Sequence, residues 1–531
     1  MVKGQLLARS APWRPIGVVP VGLVCLLCVG LGACSDEGDR ANGDVGVEDD
    51  RDASILDVAE DVAEDVAEDI ADTDESDVPE EDEDTGDADD ADVSPSISSA
   101  NSWISGEMGV LANDVDEAEI TISIRDEEGL PVADVVPVFE ATPDEGNGYG
   151  DCAPTDSVGI SRCGMTAAEP GEKQLSILEP VTLDGGTVEF FTVWDCNEAG
   201  SPFGGGEGTD EDPYRLCSAD HLRAVGDDAS YLDASLVVTQ SIDMAGEDDF
   251  QVIAQPEDFL DVEARFTGTF DGNGQVIENL RVQDSHGYAG LIGHVGDEGM
   301  LKNVFLKNVD IDGGHGRYVG GLVGQNDGEI RNSYATGSVR NGEDLGGLVG
   351  RNMGHVESSF ATCTVDNDDD DYAGGLVGAN HESIHQSYAV GAVSGGSHIG
   401  GLVGRNLEQA TIDKSYATGS VDAQGSMAAG LAGSNRQGQV TESYATGAVS
   451  GGASLGGLVG WTLASGAISS AYWDIETTGL ETSALGNPLT TLEFRDATSF
   501  SGWDFDEVWV VGLAHDAERR PIFRWQSPPL Q

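Results

Sequence analysis

Two histidines at positions 381 and 385 enclose a glutamate in the pattern His-Glu-x-x-His. On a helix this spacing brings both imidazoles to one face, where they hold zinc beside the Glu382 carboxylate as a base. Here Ile384 opens a short β-branched phrase that recurs along the chain, which favours a strand. In a strand the two histidines lie roughly 13 Å apart, too far to share a metal. We interpret the pattern as a chance match and keep a zinc peptidase as the minor alternative.

An acidic run at residues 366–371 lengthens one loop between repeats. Carboxylate oxygens at Asp366, Asp368 and Asp370 are ligands of the type that Ca²⁺ prefers. A solvated surface loop explains the same residues. We therefore expect no cofactor, with calcium at these three residues as the alternative.

The cysteines fall into pairs and one remainder. Cys152 and Cys163 lie in one strand-patterned segment, and Cys196 and Cys217 flank a Gly-rich loop. In an exported chain these pairs predict two local disulfides, Cys152–Cys163 and Cys196–Cys217. Zinc bound by the four is the alternative, although close Cys-x-x-Cys pairs are missing. Cys363 belongs to a row of small residues described below, and we expect a buried thiol.

Residues 320–472 repeat two phrases with small variations. The first is Gly-Gly-Leu-Val-Gly, whose Leu falls at 322, 348, 376, 402, 431 and 458, intervals of 26 to 29 residues. The second is Ser-Tyr-Ala-Thr-Gly-x-Val, whose aromatic residues are Tyr334, Phe360, Tyr388, Tyr416, Tyr444 and Tyr472. A fixed period of this size indicates stacked units, each unable to bury its apolar face alone.

Alternation within the second phrase predicts which residues face inward. Ser387, Ala389 and Val393 lie at every second position, as do their counterparts in the other copies, so they share one strand face. That face is small and uncharged, which suits the inside of a narrow tube. Tyr388 and its counterparts have the opposite parity and should stack outside. Three short strands in about 27 residues predict an all-β fold, one parallel β-helix coil per repeat.

The outer aromatic row is also a candidate binding face, because aromatic side chains contribute much of the contact energy in complexes. Stacking along a solenoid explains the row without a ligand. The residues concerned are Tyr334, Phe360, Tyr388, Tyr416 and Tyr444.

Composition bounds the partners. The 531 residues include 25 Lys or Arg against 97 Asp or Glu, a formal net charge of −72. Such a chain repels nucleic acid and anionic lipid surfaces, so we expect no nucleic-acid binding.

The first 33 residues are predicted to be a signal peptide, because basic residues precede an apolar run at 18–31. The run ends Leu-Gly-Ala-Cys34, which resembles the lipobox of bacterial lipoproteins. This resemblance implies cleavage before Cys34 and acylation of its thiol. Ser35, in place of Asp, implies an outer-membrane lipoprotein, and we expect it to be surface-exposed. An uncleaved anchor is the alternative, although the run is short for a membrane span.

Residues 34–99 are acidic and poor in apolar side chains, so we predict a disordered linker. Residues 100–195 return to strand patterning. Their Asp126-x-x-Gly-x-Pro-Val132 segment resembles bacterial immunoglobulin-like domains of the invasin and intimin type. That resemblance implies a β-sandwich that acts as a spacer and carries no chemistry.

The rest of the chain resembles the GLUG-repeat family. The phrases that carry the resemblance are Gly208–Tyr214, Phe266–Gly274, the repeats themselves and Trp503–Trp509. It implies a right-handed β-helix of the kind found in adhesin-like surface proteins and in the non-catalytic part of IgA-specific metallopeptidases. We expect an N-terminal cap with the first rungs at 196–285, repeats at 286–472 and a C-terminal cap at 473–531.

These observations predict a non-catalytic cell-envelope protein, attached to the membrane through its lipid, whose β-helix serves adhesion or the binding of a carbohydrate or protein. A carbohydrate-active β-helix enzyme is the first alternative, but the repeats supply almost no converging carboxylates. A zinc metallopeptidase relative is the second, and it depends on His381 and His385 alone.

Overall fold

The computed structural model describes residues 96–106, 110–196, 203–247, 250–256, 264–283, 287–368, 372–463, 466–505, 507–511 and 520–526. The expected signal peptide, Cys34 and nearly all of the linker 34–99 lie outside these ranges. The described residues belong to the unit Asp90–Gln531. Their regular structure is almost entirely β, as predicted, and none of their helices is long and apolar enough to cross a membrane.

The N-terminal part of this unit is a sandwich of two four-stranded sheets. The first sheet contains, in spatial order, Trp103–Gly106, Ala118–Ser123, Ile160–Ala167 and Asn147–Tyr149. The second contains Val110–Leu111, Leu183–Phe191, Gly171–Glu179 and Val138–Thr142. Ile120 and Ile122 of the first sheet share one buried core with Leu175 and Phe190 of the second. The predicted β-sandwich is present, and its likeness to immunoglobulin-like domains stays a prediction.

Three parallel sheets build the solenoid, and we name them A, B and C. Sheet A contains Tyr214–Leu216, Leu236–Val238, Thr269–Asp271, Met300–Lys302, Glu329–Arg331, His355–Glu357, Ser383–His385, Thr411–Asp413, Gln439–Thr441 and Ala467–Ser469. Sheet B contains Ile292–Val295, Val323–Asn326, Val349–Asn352, Val377–Asn380, Val403–Asn406, Ala432–Asn435 and Val459–Thr462.

Sheet C has the most strands, because most later coils contribute two or three short segments to it. It contains Ile242–Asp243, Val276–Glu278, Arg281–Gln283, Tyr288–Ala289, Phe305–Gly320, Tyr334–Gly346, Phe360–Ala361, Thr364–Asp366, Ala373–Gly374, Tyr388–Ala389, Val393–Gly395, Ile399–Gly400, Tyr416–Ala417, Val421–Ala429, Tyr444–Ala445, Val449–Gly456, Tyr472–Asp474 and Asn487–Leu489. Equivalent residues pair between coils, for example Val377 with Val403 and Tyr388 with Tyr416. The predicted parallel β-helix is confirmed.

Small side chains line the tube, as the alternation predicts. Ser387 and Ala389 are fully buried and Val393 is 1% exposed. Close stacking requires glycine in the same row, because a Cβ on Gly391 would lie 1.8 Å from the carbonyl oxygen of Cys363. The inward and outward faces of these strands are therefore those that the repeat indicates.

Two polar ladders run inside the tube. Fully buried Asn326, Asn352, Asn380 and Asn406 each donate from Nδ2 to Oδ1 of the asparagine one coil later, over 2.8 to 3.1 Å, and the ladder ends at Asn435. A serine ladder accompanies it. The Ser387 Oγ accepts the Ser359 N–H and donates to the His385 carbonyl. Both ladders satisfy polar groups that burial would otherwise leave without partners.

Caps close the two ends. At the N-terminal end lie helix Ala219–Asp227 and the 3₁₀ turn Ala229–Tyr231. Ser218 caps the helix by accepting the His221 N–H. At the other end Trp473 pairs in register with Ala445 and packs into the interior core, so a large ring fills the last coil. Helix Ile475–Thr478 follows directly.

The remaining C-terminal residues lie along the flank of the solenoid as well as at its end. They contain the 3₁₀ turns Glu493–Arg495 and Ala497–Ser499 and the antiparallel pair Trp509–Val511 and Pro521–Phe523. Their buried aromatic residues form one cluster with the outer aromatic row of sheet C. The expectation that this segment only seals the end was incomplete.

The sandwich contacts both the solenoid and this C-terminal segment. Asn273 donates to the Thr192 carbonyl at 3.1 Å, and Asn332 donates to Glu189 Oε2 at 3.4 Å. Trp103 packs with Val510 and Ile522. Burial, with the nearby charges of Asp271 and Glu172, raises the pKa of Glu189 to about 7.

Candidate functional site

The His-Glu-x-x-His pattern is not on a helix. His385 ends the sheet A strand Ser383–His385, and its Nδ1 lies 2.9 Å from Asp413 Oδ2. His381 instead accepts a hydrogen bond from Arg351 Nε at 3.2 Å. The two imidazoles have separate partners, and the described part of the chain contains no group of three His, Cys, Asp or Glu arranged to hold a metal. Only Ser383–His385 of the pattern is a strand, and His381 precedes it.

The acidic loop is only partly within the described ranges. Asp366 accepts a hydrogen bond from Ser394 Oγ at 2.8 Å, across to the next coil. Asp368 has a positive φ of 42°. Asp370 lies outside the described residues. The calcium alternative at these three residues therefore stays a prediction.

Both predicted disulfides are formed. Cys152 is bonded to Cys163, and Cys196 is bonded to Cys217 at the N-terminal cap. Cys363 is a free thiol, fully buried in the small-residue row of the tube. Burial raises its pKa to about 12, so it does not provide a reactive thiolate at neutral pH.

The outer aromatic row is stacked as predicted, but it is covered. Rings from Phe305 to Tyr444 follow one another at centroid distances of 4.7 to 4.9 Å. Tyr416 is 2% exposed and Tyr444 is fully buried, because the C-terminal segment packs on them. Tyr444 donates to the Pro521 carbonyl.

This cover argues against the aromatic row as a binding face. Tyr334, Phe360, Tyr388, Tyr416 and Tyr444 are each at most 8% exposed. The sequence interpretation treated them as outward because they point away from the tube. It did not anticipate that Phe494 and Phe523, in a later segment, would pack on the rings of Tyr388, Tyr416 and Tyr444.

A different surface carries polar groups that repeat alternation did not reveal. One register row of sheet B places Arg351, Ala379 and Arg405 in successive coils. Ala379 is fully buried, whereas the two arginines are partly exposed. Residues of neighbouring strands complete what we call the Arg cluster, which consists of Tyr318, Asp344, Arg351, Tyr372, His381 and Arg405.

Aromatic rings and a carboxylate hold the two guanidinium groups. The Arg351 Cζ lies 5.0 Å from the Tyr318 ring centroid, and the Arg405 Cζ lies 4.0 Å from that of Tyr372. Arg351 Nη1 also donates to the Tyr318 hydroxyl. Arg405 Nη2 donates to Asp344 Oδ1 at 2.6 Å, although the two residues are 61 positions apart. The cluster therefore spans several coils.

Burial and charge alter two ionisations in the Arg cluster. Burial raises the pKa of Asp344 to about 6, even though Arg405 and Arg351 favour its charged form. Burial and then the charges of Arg351 and Arg405 lower the pKa of His381 to about 4, so this imidazole is neutral at pH 7.

Hydrogen-bonding capacity remains unused in this cluster. Asp344 is fully buried, yet its Oδ2 has no hydrogen-bond partner among the described residues, and the same holds for Arg405 Nε. By contrast, His294 of sheet B has a hydrogen-bond partner, since its Nε2 lies 2.9 Å from Asp327 Oδ2. Sequence reasoning missed the cluster because only coil stacking brings Asp344 and Arg405 together.

Comparisons with known proteins find similarity to parts of this chain. The family model described as the GLUG motif matches residues 315–340 and 395–422, two segments of the solenoid. Halomucin of Haloquadratum walsbyi is 33% identical over 178 residues, which is 32% of this chain and 2% of halomucin. A protein of Evansella cellulosilytica named as a Gly-rich membrane protein is 34% identical over 139 residues, 25% of this chain and 15% of that protein.

The chain thus spans only a small part of the length of both relatives. Among solved structures, one of a Bacteroides ovatus protein assigned as an immunoglobulin A1 protease aligns with a TM-score of 0.41 and 21% identity. The alignment covers 62% of this chain and 97% of that structure.

Proposed function

We propose that this protein is a non-catalytic, lipid-anchored protein of the cell envelope whose solenoid binds a ligand at its surface. The observation that carries the proposal is the Arg cluster, a partly exposed group of cationic and aromatic side chains on a scaffold fixed by internal ladders. Preorganised side chains on a rigid scaffold bind at a smaller ordering cost, which suits recognition. The names of the two relatives, a mucin and a membrane protein, support an envelope location.

The order of segments supports the same role. An acylated Cys34 would hold the chain at the outer membrane, and the acidic residues 34–99, which repel one another, would extend it away from the surface. The sandwich, as an immunoglobulin-like spacer, would then present the solenoid. In this arrangement the solenoid, held away from the membrane, would serve adhesion to a carbohydrate or protein.

Anchoring is tested by replacing the acylated residue. Cells fed a radiolabelled or clickable fatty acid should label the wild-type protein, whereas Cys34→Ala should abolish the label and release the protein from the membrane fraction. Ser35→Ala, one residue away, is the matched control and should still be acylated. Protease added to intact cells should then digest the solenoid; complete protection would place it on the inner side of the membrane and contradict surface display.

Binding and catalysis are separated in one assay. Purified mature protein is applied to a glycan array with and without calcium, and bound glycans are analysed by mass spectrometry. We expect binding without any change in glycan mass. Shortened glycans would support the carbohydrate-active enzyme. Glycan binding that occurs only with calcium would support a calcium site in the loop that contains Asp366 and Asp368.

A further inference from the structure

The Arg cluster contains both a donor and an acceptor that no described residue satisfies. Asp344 Oδ2 needs a donor, and the buried Arg405 Nε needs an acceptor. Leaving such groups unpaired in a fold costs free energy, so a ligand that pairs with both gains from the interaction. A single hydroxyl group meets both needs, since it donates to the carboxylate and accepts from the guanidinium.

The charge of the cluster selects an anion. Arg351 and Arg405 are opposed in the cluster by Asp344, and the adjacent Glu343 is paired with Arg317, so the cluster is net positive within a chain of formal net charge −72. Arg351 uses Nε for His381 and Nη1 for Tyr318, and its Nη2 has no partner in the described part of the chain. A planar guanidinium with a free edge is well suited to a carboxylate, which accepts parallel N–H bonds.

We propose that the Arg cluster binds a carboxylate-bearing sugar, such as a uronate or sialate residue of an acidic polysaccharide. The sugar carboxylate lies against Arg351, and a hydroxyl of the same residue bridges Asp344 Oδ2 and Arg405 Nε. Inorganic sulfate and phosphate ester oxygens offer no donor to Asp344, and a neutral sugar offers no charge to Arg351. This inference names the ligand class of the binding role proposed above and depends on that role.

His381 gives a readout inside the site. Its pKa is held near 4 partly by the charges of Arg351 and Arg405, so an anion placed beside them raises it. In NMR titrations of the mature chain, His381→Gln identifies the resonance. We expect oligogalacturonate or sialyllactose to move the His381 midpoint upward by about one pH unit or more, and lactose to leave it unchanged. His385, bonded to Asp413, is the internal control.

Calorimetry with matched variants completes the test. Arg351→Met should weaken binding of oligogalacturonate about tenfold to a hundredfold, because it removes a charge-assisted pair. Arg331→Met, on sheet A and paired with Glu329, should leave the affinity unchanged. Asp344→Asn retains the size of the side chain and should weaken the sugar more than it weakens acetate. If Asp344→Asn does not fold, Arg351→Met and the His381 titration still decide the outcome.

Three results would overturn the inference: equal affinity for lactose, equal affinity for inorganic sulfate or an acidic peptide, or unchanged binding by Arg351→Met. Glycan or protein binding that survives Arg351→Met would leave the general binding role in place and refute only this site. An absence of binding to any glycan or protein would refute both.

Discussion

Asn352 donates from Nδ2 to Oδ1 of Asn380, 2.8 Å away in the next coil, and Asn380 repeats the bond to Asn406 at 2.9 Å. All three are fully buried. Each amide also donates to backbone carbonyls near it, so the ladder ties the turns of one coil to those of the next. Side-chain hydrogen bonds therefore join successive coils of the solenoid, in addition to the backbone hydrogen bonds of its sheets.

Breaking the ladder should destabilise the solenoid. Asn380→Ala removes the donor to Asn406 Oδ1 and to the Thr411 carbonyl and leaves a cavity, so we expect a loss of about 2 to 4 kcal/mol. Urea denaturation followed by circular dichroism measures it. Gln439→Ala, which truncates an exposed amide on sheet A, should change stability by less than about 0.5 kcal/mol. Equal effects of the two changes would show that the ladder contributes nothing.

Local alternation was sufficient to predict most of the fold. The period, the inward Ala389 and Val393 and the outward Tyr388 follow from the two-residue repeat of a strand. The asparagine ladder has a sequence signal of its own, because Asn follows Val-Gly-x at Asn326, Asn352, Asn380 and Asn406 and follows Ala-Gly-Ser at Asn435. A polar side chain fixed in an apolar repeat indicates an internal ladder.

Contacts between distant segments could not be predicted in this way. The cover over Tyr416 comes from residues near Phe523, and the Asp344–Arg405 pair crosses 61 positions. Parity states which way a side chain points relative to its own strand. It contains no information about what a later segment places on that side, so the burial of the aromatic row and the Arg cluster were both missed.

The C-terminal segment should detach from the aromatic row when Phe523 is truncated. Phe523 is fully buried and stacks on Trp509 at 4.5 Å and near Tyr416 at 5.4 Å. We expect Phe523→Ala to cost about 3 to 5 kcal/mol locally, to expose the aromatic row and to increase binding of the dye ANS. Leu492→Ala, which truncates a 75% exposed side chain in the same part of the chain, is the control. Dye binding that stays at the wild-type level would contradict the covering role.

Acid should weaken sheet A through Asp413. Burial alone would raise the pKa of this carboxyl, but hydrogen bonds from His385 and Thr441 and the charge of Lys414 outweigh it and lower the pKa to about 2. Because the folded pKa lies below the unfolded value near 4, the stabilisation is present above pH 4 and is lost as the pH falls towards 2.

The corresponding variant is Asp413→Asn. We expect about 2 kcal/mol less stability than wild type at pH 6, with the difference shrinking towards zero near pH 2. Thermal unfolding at several pH values measures this. Asp233→Asn, at an exposed position of the N-terminal cap, is the control, and its stability should stay close to that of wild type at every pH. A constant difference between Asp413→Asn and wild type across the whole range would exclude the ionisation as its cause.

Glu189 should have the opposite pH dependence at the contact between sandwich and solenoid. Its pKa is raised to about 7, first by burial and then by the charges of Asp271 and Glu172. The folded protein therefore keeps this proton up to a higher pH than the unfolded chain does. Stability is therefore lost as the pH rises through 7.

Glu189→Gln keeps the shape and removes the charge. It should stabilise the protein by about 2 kcal/mol at pH 8.5 and by almost nothing at pH 4.5. Glu140→Gln, exposed on the same sheet, provides the comparison. Because the Asn332 amide still finds an acceptor in glutamine, a gain limited to high pH can come only from the lost charge. A gain of equal size at both pH values would instead indicate a packing effect and reject the buried-carboxylate explanation.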